Sequence, residues 1–192
     1  MPRSTPSADT ILDTALDLAE SCGWERLYLH DVATALNCDL AAIARHYRQK
    51  DDLVEAWLDR ADTALFERAR GADLAALAPD KRLEELLMAW LGGIAAHRAL
   101  TGQMLLYKLE LGHVHLQVGA LLRVSRTVQW WRETARRHNL HLARVAEESL
   151  LSAVFLRTFV HWLRHPEVAD ADVRALLRRQ LRGGPLAWLL RA

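Results

Sequence analysis

Residues 38–53 read CDLAAIARHYRQKDDL and have the spacing of a short helix followed by the start of another. Asp39 is suited to cap the first turn, and the helix is predicted to run to about Tyr47. Before it, the apolar positions of residues 32–36 predict another short helix, which ends at Asn37. Two short helices joined by a tight turn indicate a helix-turn-helix unit, whose second helix would enter the major groove of DNA.

The rest of the chain has the same helical period. Residues 8–21 predict a first helix that closes at Gly23, where a positive φ is expected, and residues 50–69 predict a fourth helix with acids in its first turn. Longer amphipathic segments follow at 81–97, 102–111, 115–138, 142–165 and 171–190, and Gly183-Gly184 interrupts the last of them. The predicted fold class is all α, with an N-terminal helix-turn-helix domain over 1–60 and a C-terminal helical bundle over 61–192.

The composition of the chain limits the classes of protein to which it can belong. The chain has 192 residues and is 51% hydrophobic, so it can bury a substantial core. No apolar run approaches the roughly 18 residues of a membrane span, and the opening MPRSTPSADT resembles neither a signal peptide nor a transit peptide. We therefore expect a cytoplasmic protein without a membrane span, in which Cys22 and Cys38 are small core residues.

Three stretches carry a resemblance to a known family. ILDTALDLAESCGW (11–24), LHDVATAL (29–36) and ARHYRQKDDL (44–53) together resemble the N-terminal domain of the TetR family of transcriptional regulators, over about residues 9–60. The resemblance implies a homodimer that binds double-stranded DNA and a C-terminal domain that binds a small hydrophobic ligand. The residues it implies at DNA are Tyr28, His30, Arg45, His46, Tyr47 and Lys50, with Arg45 and Lys50 as the foremost candidates for phosphate contacts.

The recognition helix departs from the family pattern. Where the family usually has Gly-Val-Ser-Lys-Gly-Thr-Leu-Tyr, residues 37–44 read NCDLAAIA. Residues 1–60 also hold six basic and eleven acidic side chains, a net charge of −5. Since DNA affinity rests largely on cations that neutralise phosphates, we expect weak binding that depends strongly on salt.

A second resemblance keeps another function open. The opening helix, which closes at Gly-Trp, and the residue pattern of the last two helices are also similar to the COQ9 family. The members of that family are TetR-fold accessory proteins of ubiquinone biosynthesis. The family's Asp-x-Ser-x-Asp hallmark is absent from this sequence. This resemblance implies a lipid or isoprenoid carrier that has lost DNA binding.

The C-terminal region offers candidates for a ligand pocket and a dimer interface. Trp130 and Trp131 are adjacent and must point about 100° apart, so one of them is expected to line a cavity or an interface. The candidate pocket residues are Met88, Met104, Tyr107, Trp130, Trp131, Phe155 and Phe159, for which ordinary core packing is the other interpretation. The candidate dimer residues are Leu150, Leu151, Val154, Leu176, Leu177 and Leu181, with Arg178, Arg179 and Arg182 at the rim of an isologous four-helix interface.

Motifs for metal binding and catalysis are missing from the sequence. His113 and His115 are two residues apart, so on a helix they face different sides, and there is no His-Glu-x-x-His. There is also no Gly-rich phosphate loop and no Gly-x-Ser-x-Gly motif. We therefore predict no metal site, no cofactor and no enzymatic activity.

Overall fold

The computed structural model describes residues 5–109 and 114–191, and in these ranges every regular element is helical. The α-helices are α1 (Ala8–Cys22), α2 (Leu29–Ala35), α3 (Leu40–Ala44), α4 (Lys50–Ala69), α5 (Pro79–Gly93), α6 (Arg98–Lys108), α7 (Val114–Thr134), α8 (His141–Arg164), α9 (Asp170–Leu181) and α10 (Gly184–Arg191). The prediction of an all-α fold is confirmed. Of the helices described, none is both long and apolar enough to cross a membrane. His113 lies outside the described residues.

The helices form two compact units. The head unit comprises Met1–Asp59 and His97–Gln117, and the bundle unit comprises Arg60–Ala96 and Val118–Ala192. The first division lies within one residue of the predicted domain boundary at 60. The segment His97–Gln117, which the sequence assigned to the C-terminal domain, groups instead with the N-terminal helices.

Local sequence explains how α1 begins and ends. The Ser7 hydroxyl accepts a hydrogen bond from the Thr10 N–H at 3.1 Å, and so caps the first turn. Gly23 ends the helix with φ +85° and donates its N–H to the Ala19 carbonyl at 2.8 Å. The expected positive φ is therefore present, and an L side chain here would be strained. Between these ends, one face of α1 is buried: Ile11, Leu12, Ala15, Leu16 and Ala19.

Helix α6 belongs to the head unit because its polar side chains satisfy groups of that unit. The Gln103 side-chain oxygen accepts from the Trp24 N–H, and the Thr101 hydroxyl accepts from Trp57 Nε1, both at 2.8 Å. His97, just before α6, lies 2.8 Å from the Glu20 carboxylate. These bonds are made over long distances in sequence, so no local pattern predicts them.

Lys108, at the end of α6, is almost completely buried, with 1% of its side chain exposed. Its ammonium donates to Asp51 at 2.8 Å and to Glu55 at 2.7 Å, both on the first turns of α4. A buried ammonium is tolerated only when it is paired, so these two carboxylates offset the cost of burying the Lys108 charge.

The bundle unit has an aromatic core that encloses a polar network around Asp62. Trp90 contacts the rings of Phe155 and Phe159 edge-on, each with 5.1 Å between centroids. The Trp90 indole N–H donates to Asp62 at 2.8 Å, and Arg123 donates to the other oxygen of that carboxylate at the same distance. The buried charge of Asp62 is thus paired inside the core.

Helices α5 and α9 are joined by ion pairs around Glu84. Its side chain is 1% exposed and accepts from Arg178 at 2.8 and 3.0 Å and from Lys81 at 3.1 Å. Burial raises the pKa of this carboxyl, but the hydrogen bonds from Arg178 and Lys81 outweigh it and lower the pKa to about 2. Glu84 is therefore ionised at neutral pH and holds α9 against α5.

Two predicted helices have different ends in the structure. α3 stops at Ala44 rather than near Tyr47, and residues 45–46 form a turn before α4. The segment 171–190 is two helices, as the Gly183-Gly184 pair indicated: α9 ends at Leu181, and α10 begins at Gly184, which adopts φ +59°.

Candidate nucleic-acid interface

Helices α2 and α3 and the turn between them form the predicted helix-turn-helix. Asn37 takes a positive φ of 50° in the turn, and the Cys38 N–H donates to the Ala33 carbonyl at 2.9 Å. The Asp39 carboxylate accepts from the Ala42 N–H at 2.7 Å, which confirms its role as the cap of α3. Ala42 and Ile43 are buried, so the opposite face of α3 points outward.

That outward face is apolar. Leu40 is 51% exposed, and Ala41 and Ala44 are exposed beside it. Because all five residues of α3 are Leu, Ala or Ile, the helix offers no side-chain hydrogen bond to a base.

Exposed cations follow α3 directly. Arg45 is the C-cap of α3, and His46 and Arg48 are exposed in the connection to α4. The backbone here is held in place, because the Arg48 N–H donates to the Asp52 carboxylate at 2.8 Å. Arg48 is not among the residues that the family resemblance implies at DNA, although the exposure and charge of Arg48 match those of Arg45.

A second polar group lies at the start of α2. Tyr28 is 58% exposed and stacks on the His30 ring, with 5.3 Å between centroids. His30 Nε2 lies 3.3 Å from the Asp31 carboxylate. Tyr28 and His30 are thus accessible, as the resemblance implies, at the N-terminal end of the helix that precedes the recognition helix.

The structure differs from the sequence-based prediction at Tyr47. The side chain is 6% exposed, and its hydroxyl donates to the Ala8 carbonyl at 3.0 Å. The apolar ring packs in the core and the hydroxyl connects the end of the helix-turn-helix to the start of α1. We therefore assign Tyr47 a structural role and not a contact with DNA.

Lys50, a foremost candidate for a phosphate contact, is also directed inward. Its ammonium donates to the carbonyls of Trp24 and Glu25, and lies 5.1 Å from the centre of the Trp24 ring and 5.2 Å from that of Tyr107. Burial lowers the pKa of this amine. The two carbonyls and the two rings therefore already contact this half-buried ammonium.

The net charge of residues 1–60 overstates the negative charge of the head unit, because part of it is paired with a cation from outside those residues. Asp51 and Glu55 pair with the buried Lys108, while Asp39 and Asp52 accept backbone N–H groups. A charge count along the sequence could not include Lys108, which enters from a distant segment.

Most of the candidate pocket residues fill the interior. Within the bundle unit, the side chains of Met88, Trp131, Phe155 and Phe159 are buried. The Trp131 indole donates to the Leu83 carbonyl at 2.8 Å. These positions fit the other interpretation, ordinary core packing. Met104 belongs to the head unit and is fully buried there.

Tyr107 and Trp130 line separate surface depressions. Tyr107, in the head unit, lines a depression of about 310 Å³ with Glu25, Gln103 and Leu106. Trp130, in the bundle unit, is 45% exposed and contacts Phe66 edge-on. Its depression of about 300 Å³ is also lined by Arg126, Gln129, Glu133, Arg144 and Glu148.

The candidate dimer residues divide into two sets. Leu151, Leu177 and Leu181 are at most 1% exposed and belong to the core of the bundle unit, which corrects the prediction for these three. Leu150, Val154 and Leu176 line an open groove of about 370 Å³ among α8, α9 and α10, where Leu150 and Leu176 are half-buried and Val154 is buried at its floor with 8% exposed.

The predicted arginine rim is also corrected in part. Arg178 is bound to Glu84, and Arg182 donates to Asp80 at 2.7 Å, so both face α5. Arg179 lines the groove, as expected for a residue beside an interface.

Across the ranges that the structure describes, no three His, Cys, Asp or Glu side chains come together in an arrangement that could hold a metal ion.

Comparison with solved structures identifies relatives. The chain is 39% identical to a TetR transcriptional regulator from Nitrosomonas europaea, with a TM-score of 0.81 over 94% of this chain and 98% of the other. A regulatory protein of the tetR family from Rhodococcus RHA1 is 19% identical, with a TM-score of 0.47 over 96% and 95% of the two chains. No protein-family model and no curated protein matches the sequence. The identity and coverage of the first relative, together with the helix-turn-helix, show that this chain belongs to the TetR family of transcriptional regulators.

Proposed function

We propose that the protein is a ligand-responsive transcriptional repressor that binds operator DNA as a homodimer. The observation that carries the proposal is the exposed face of α3, which is followed by three exposed cationic or titratable side chains: Arg45, His46 and Arg48. Membership of a family of transcriptional regulators supports it.

In this proposal α3 enters the major groove, and the flanking side chains bind the backbone. Arg45 and Arg48 are suited to phosphate because a guanidinium donates to two oxygens at once. Tyr28 and His30 add contacts from the N-terminal end of α2, where helix-turn-helix proteins cross the backbone. Two copies would occupy successive major grooves about 34 Å apart.

The homodimer is proposed to form on the groove lined by Leu150, Val154 and Leu176. An apolar groove between two helices can accept the same helices of a second copy in an isologous four-helix arrangement. Leu150→Glu would introduce a charge at a half-buried position of this surface, and Ala75→Glu, at an exposed position of the bundle unit, is the control.

Ligand response is proposed to act through the bundle unit. A small hydrophobic ligand that binds the two states of the dimer with different affinity would shift the population toward the state that releases DNA. Trp130 is the natural reporter, since its indole is half-exposed at the edge of a depression.

The test measures binding of the purified dimer to fluorescent duplexes by anisotropy, at salt concentrations from about 50 mM upward. Arg48→Ala removes one phosphate contact from each protomer of the dimer, so it should flatten the slope of log affinity against log salt by about two. Arg164→Ala removes the same charge from an exposed position on α8 and should leave the slope unchanged. Absence of binding to any duplex at about 50 mM salt, with the folded dimer confirmed, would refute DNA binding.

A second candidate function, binding of a lipid or isoprenoid without DNA, is favoured by one observation. α7 exposes Val118, Leu121 and Leu122, which are 50, 70 and 66% exposed on adjacent turns. Saturable binding of a fluorescent isoprenoid, combined with no DNA binding at about 50 mM salt, would support this function instead of the first.

A further inference from the structure

The α3 surface is unusual for a helix that reads DNA, because it carries no polar side chain. Its three exposed residues are Leu40, Ala41 and Ala44, and its two buried residues are Ala42 and Ile43. Bases are commonly read in the major groove by Arg, Lys, Asn, Gln, Ser or Thr, which donate or accept hydrogen bonds. α3 has none of these.

Several polar side chains around α3 make hydrogen bonds within the protein. Asp39 accepts from the Ala42 N–H, and the Thr34 hydroxyl donates to the His30 carbonyl at 2.8 Å. The Gln49 amide donates to Asp52 at 3.3 Å. These hydrogen bonds hold the helix-turn-helix and the start of α4.

One feature of the major groove suits an apolar helix face. Thymine carries a C5 methyl group there, and Ala and other apolar side chains contact it. 5-Methylcytosine carries a methyl group on the same carbon, so an apolar surface has the same contact with both bases.

We propose that Leu40, Ala41 and Ala44 recognise pyrimidine C5 methyl groups, so that the operator is read through thymine and 5-methylcytosine is accepted at the same positions. The inference rests on the proposed function, because it requires α3 to lie in the major groove. The N-terminal residues of a recognition helix are those nearest the base edges, and Leu40 and Ala41 are the first two residues of α3. The exposed Arg45 and Arg48 supply the affinity for the backbone, and the apolar face selects the sequence.

The experiment uses a duplex selected by the full-length protein from a random pool at about 50 mM salt. Each thymine in a half-site is replaced by uracil, which removes the methyl group and leaves the hydrogen-bonding edge unchanged. Burying one methyl group is worth about a fourfold change in affinity, so a contacted thymine should lose about fourfold per half-site and about sixteenfold when both half-sites are changed. Where a C·G pair replaces a contacted T·A pair, methylation of that cytosine should recover a similar factor.

Two variants separate base reading from phosphate binding. Leu40→Ala keeps a good helix former but removes apolar contact, so it should reduce the ratio of thymine to uracil affinity at the nearest position. Arg48→Ala should weaken binding to both duplexes equally and leave that ratio unchanged.

The outcomes distinguish the inference from the function on which it rests. Binding of equal strength to the thymine and uracil duplexes at every position would overturn the inference and leave DNA binding intact. No binding to any duplex by a protein whose circular dichroism shows a folded helical chain would refute the proposed function, and this inference with it.

Discussion

Replacing Glu84 with Gln should destabilise the bundle unit in a manner that depends on pH. The carboxylate is 1% exposed and contacts Arg178, Lys81 and Arg174 at 2.8, 3.1 and 3.4 Å. Gln has nearly the same shape but carries no charge, so the variant removes the ionic part of the interaction and retains the packing.

The magnitude follows from the pKa. The shift from 4.5 to about 2 corresponds to on the order of 3 kcal/mol of stability at neutral pH, at about 1.36 kcal/mol per pKa unit. Since the folded-state pKa is lowered, this stabilisation is complete above about pH 5.5. It is lost as the pH falls from 4.5 toward 2. We therefore expect Glu84→Gln to reduce the free energy of unfolding by about 2–3 kcal/mol at pH 7 and by much less at pH 3.

The assay is urea unfolding followed by circular dichroism at one protein concentration, at pH 7, 5.5, 4.5 and 3. Glu133→Gln is the matched control, because the Glu133 side chain is 64% exposed and lies 3.5 Å from Arg132, so its loss should cost less than about 1 kcal/mol. A loss for Glu84→Gln that is the same at pH 3 as at pH 7, or no larger than that of the control, would refute the ionic account of this contact.

Further predictions concern the other engaged residues. Lys108→Met should lower the free energy of unfolding by about 3–5 kcal/mol in urea unfolding, because its two carboxylate partners lose their cation. Lys50→Ala should leave the salt slope of DNA binding unchanged within error, in contrast to Arg48→Ala, because the Lys50 ammonium is bonded to backbone carbonyls; a slope flattened by about two, one contact per protomer, would contradict this. Leu150→Glu should sediment as a monomer of 21.8 kDa, and persistence of the dimer would exclude the groove as its interface. Trp130→Phe should abolish any ligand-dependent change in tryptophan fluorescence, and an undiminished change would place the reporter elsewhere.

The sequence does not predict which of two adjacent apolar residues on a helix of the bundle unit faces the core. α8 carries apolar residues on several faces, so periodicity places Leu150 and Leu151 about 100° apart but does not say which one faces the core. The structure buries Leu151 completely and leaves Leu150 at the groove. The same ambiguity affects Trp130 and Trp131, of which Trp131 is the buried member.

The sequence by itself determined the features that depend on residues within about four positions of each other. The all-α fold, the Asp39 cap, the positive φ of Gly23 and the helix-turn-helix are local in this sense, because capping and helix formation are satisfied by near neighbours. The resemblance to the TetR family rests on the same local pattern, and the Nitrosomonas europaea relative confirms it.

The tertiary structure alone decided which charged and aromatic side chains remain available for DNA. Tyr47 meets the Ala8 carbonyl 39 residues away, and Lys50 meets the carbonyl of Trp24 26 residues away. Lys108 comes from 53 residues away to the acids of α4. Burial and ion pairing depend on atoms that folding brings together, whatever their separation along the chain. For this reason Arg48, which the sequence analysis passed over, is exposed beside α3, and Lys50, which it favoured, is directed inward.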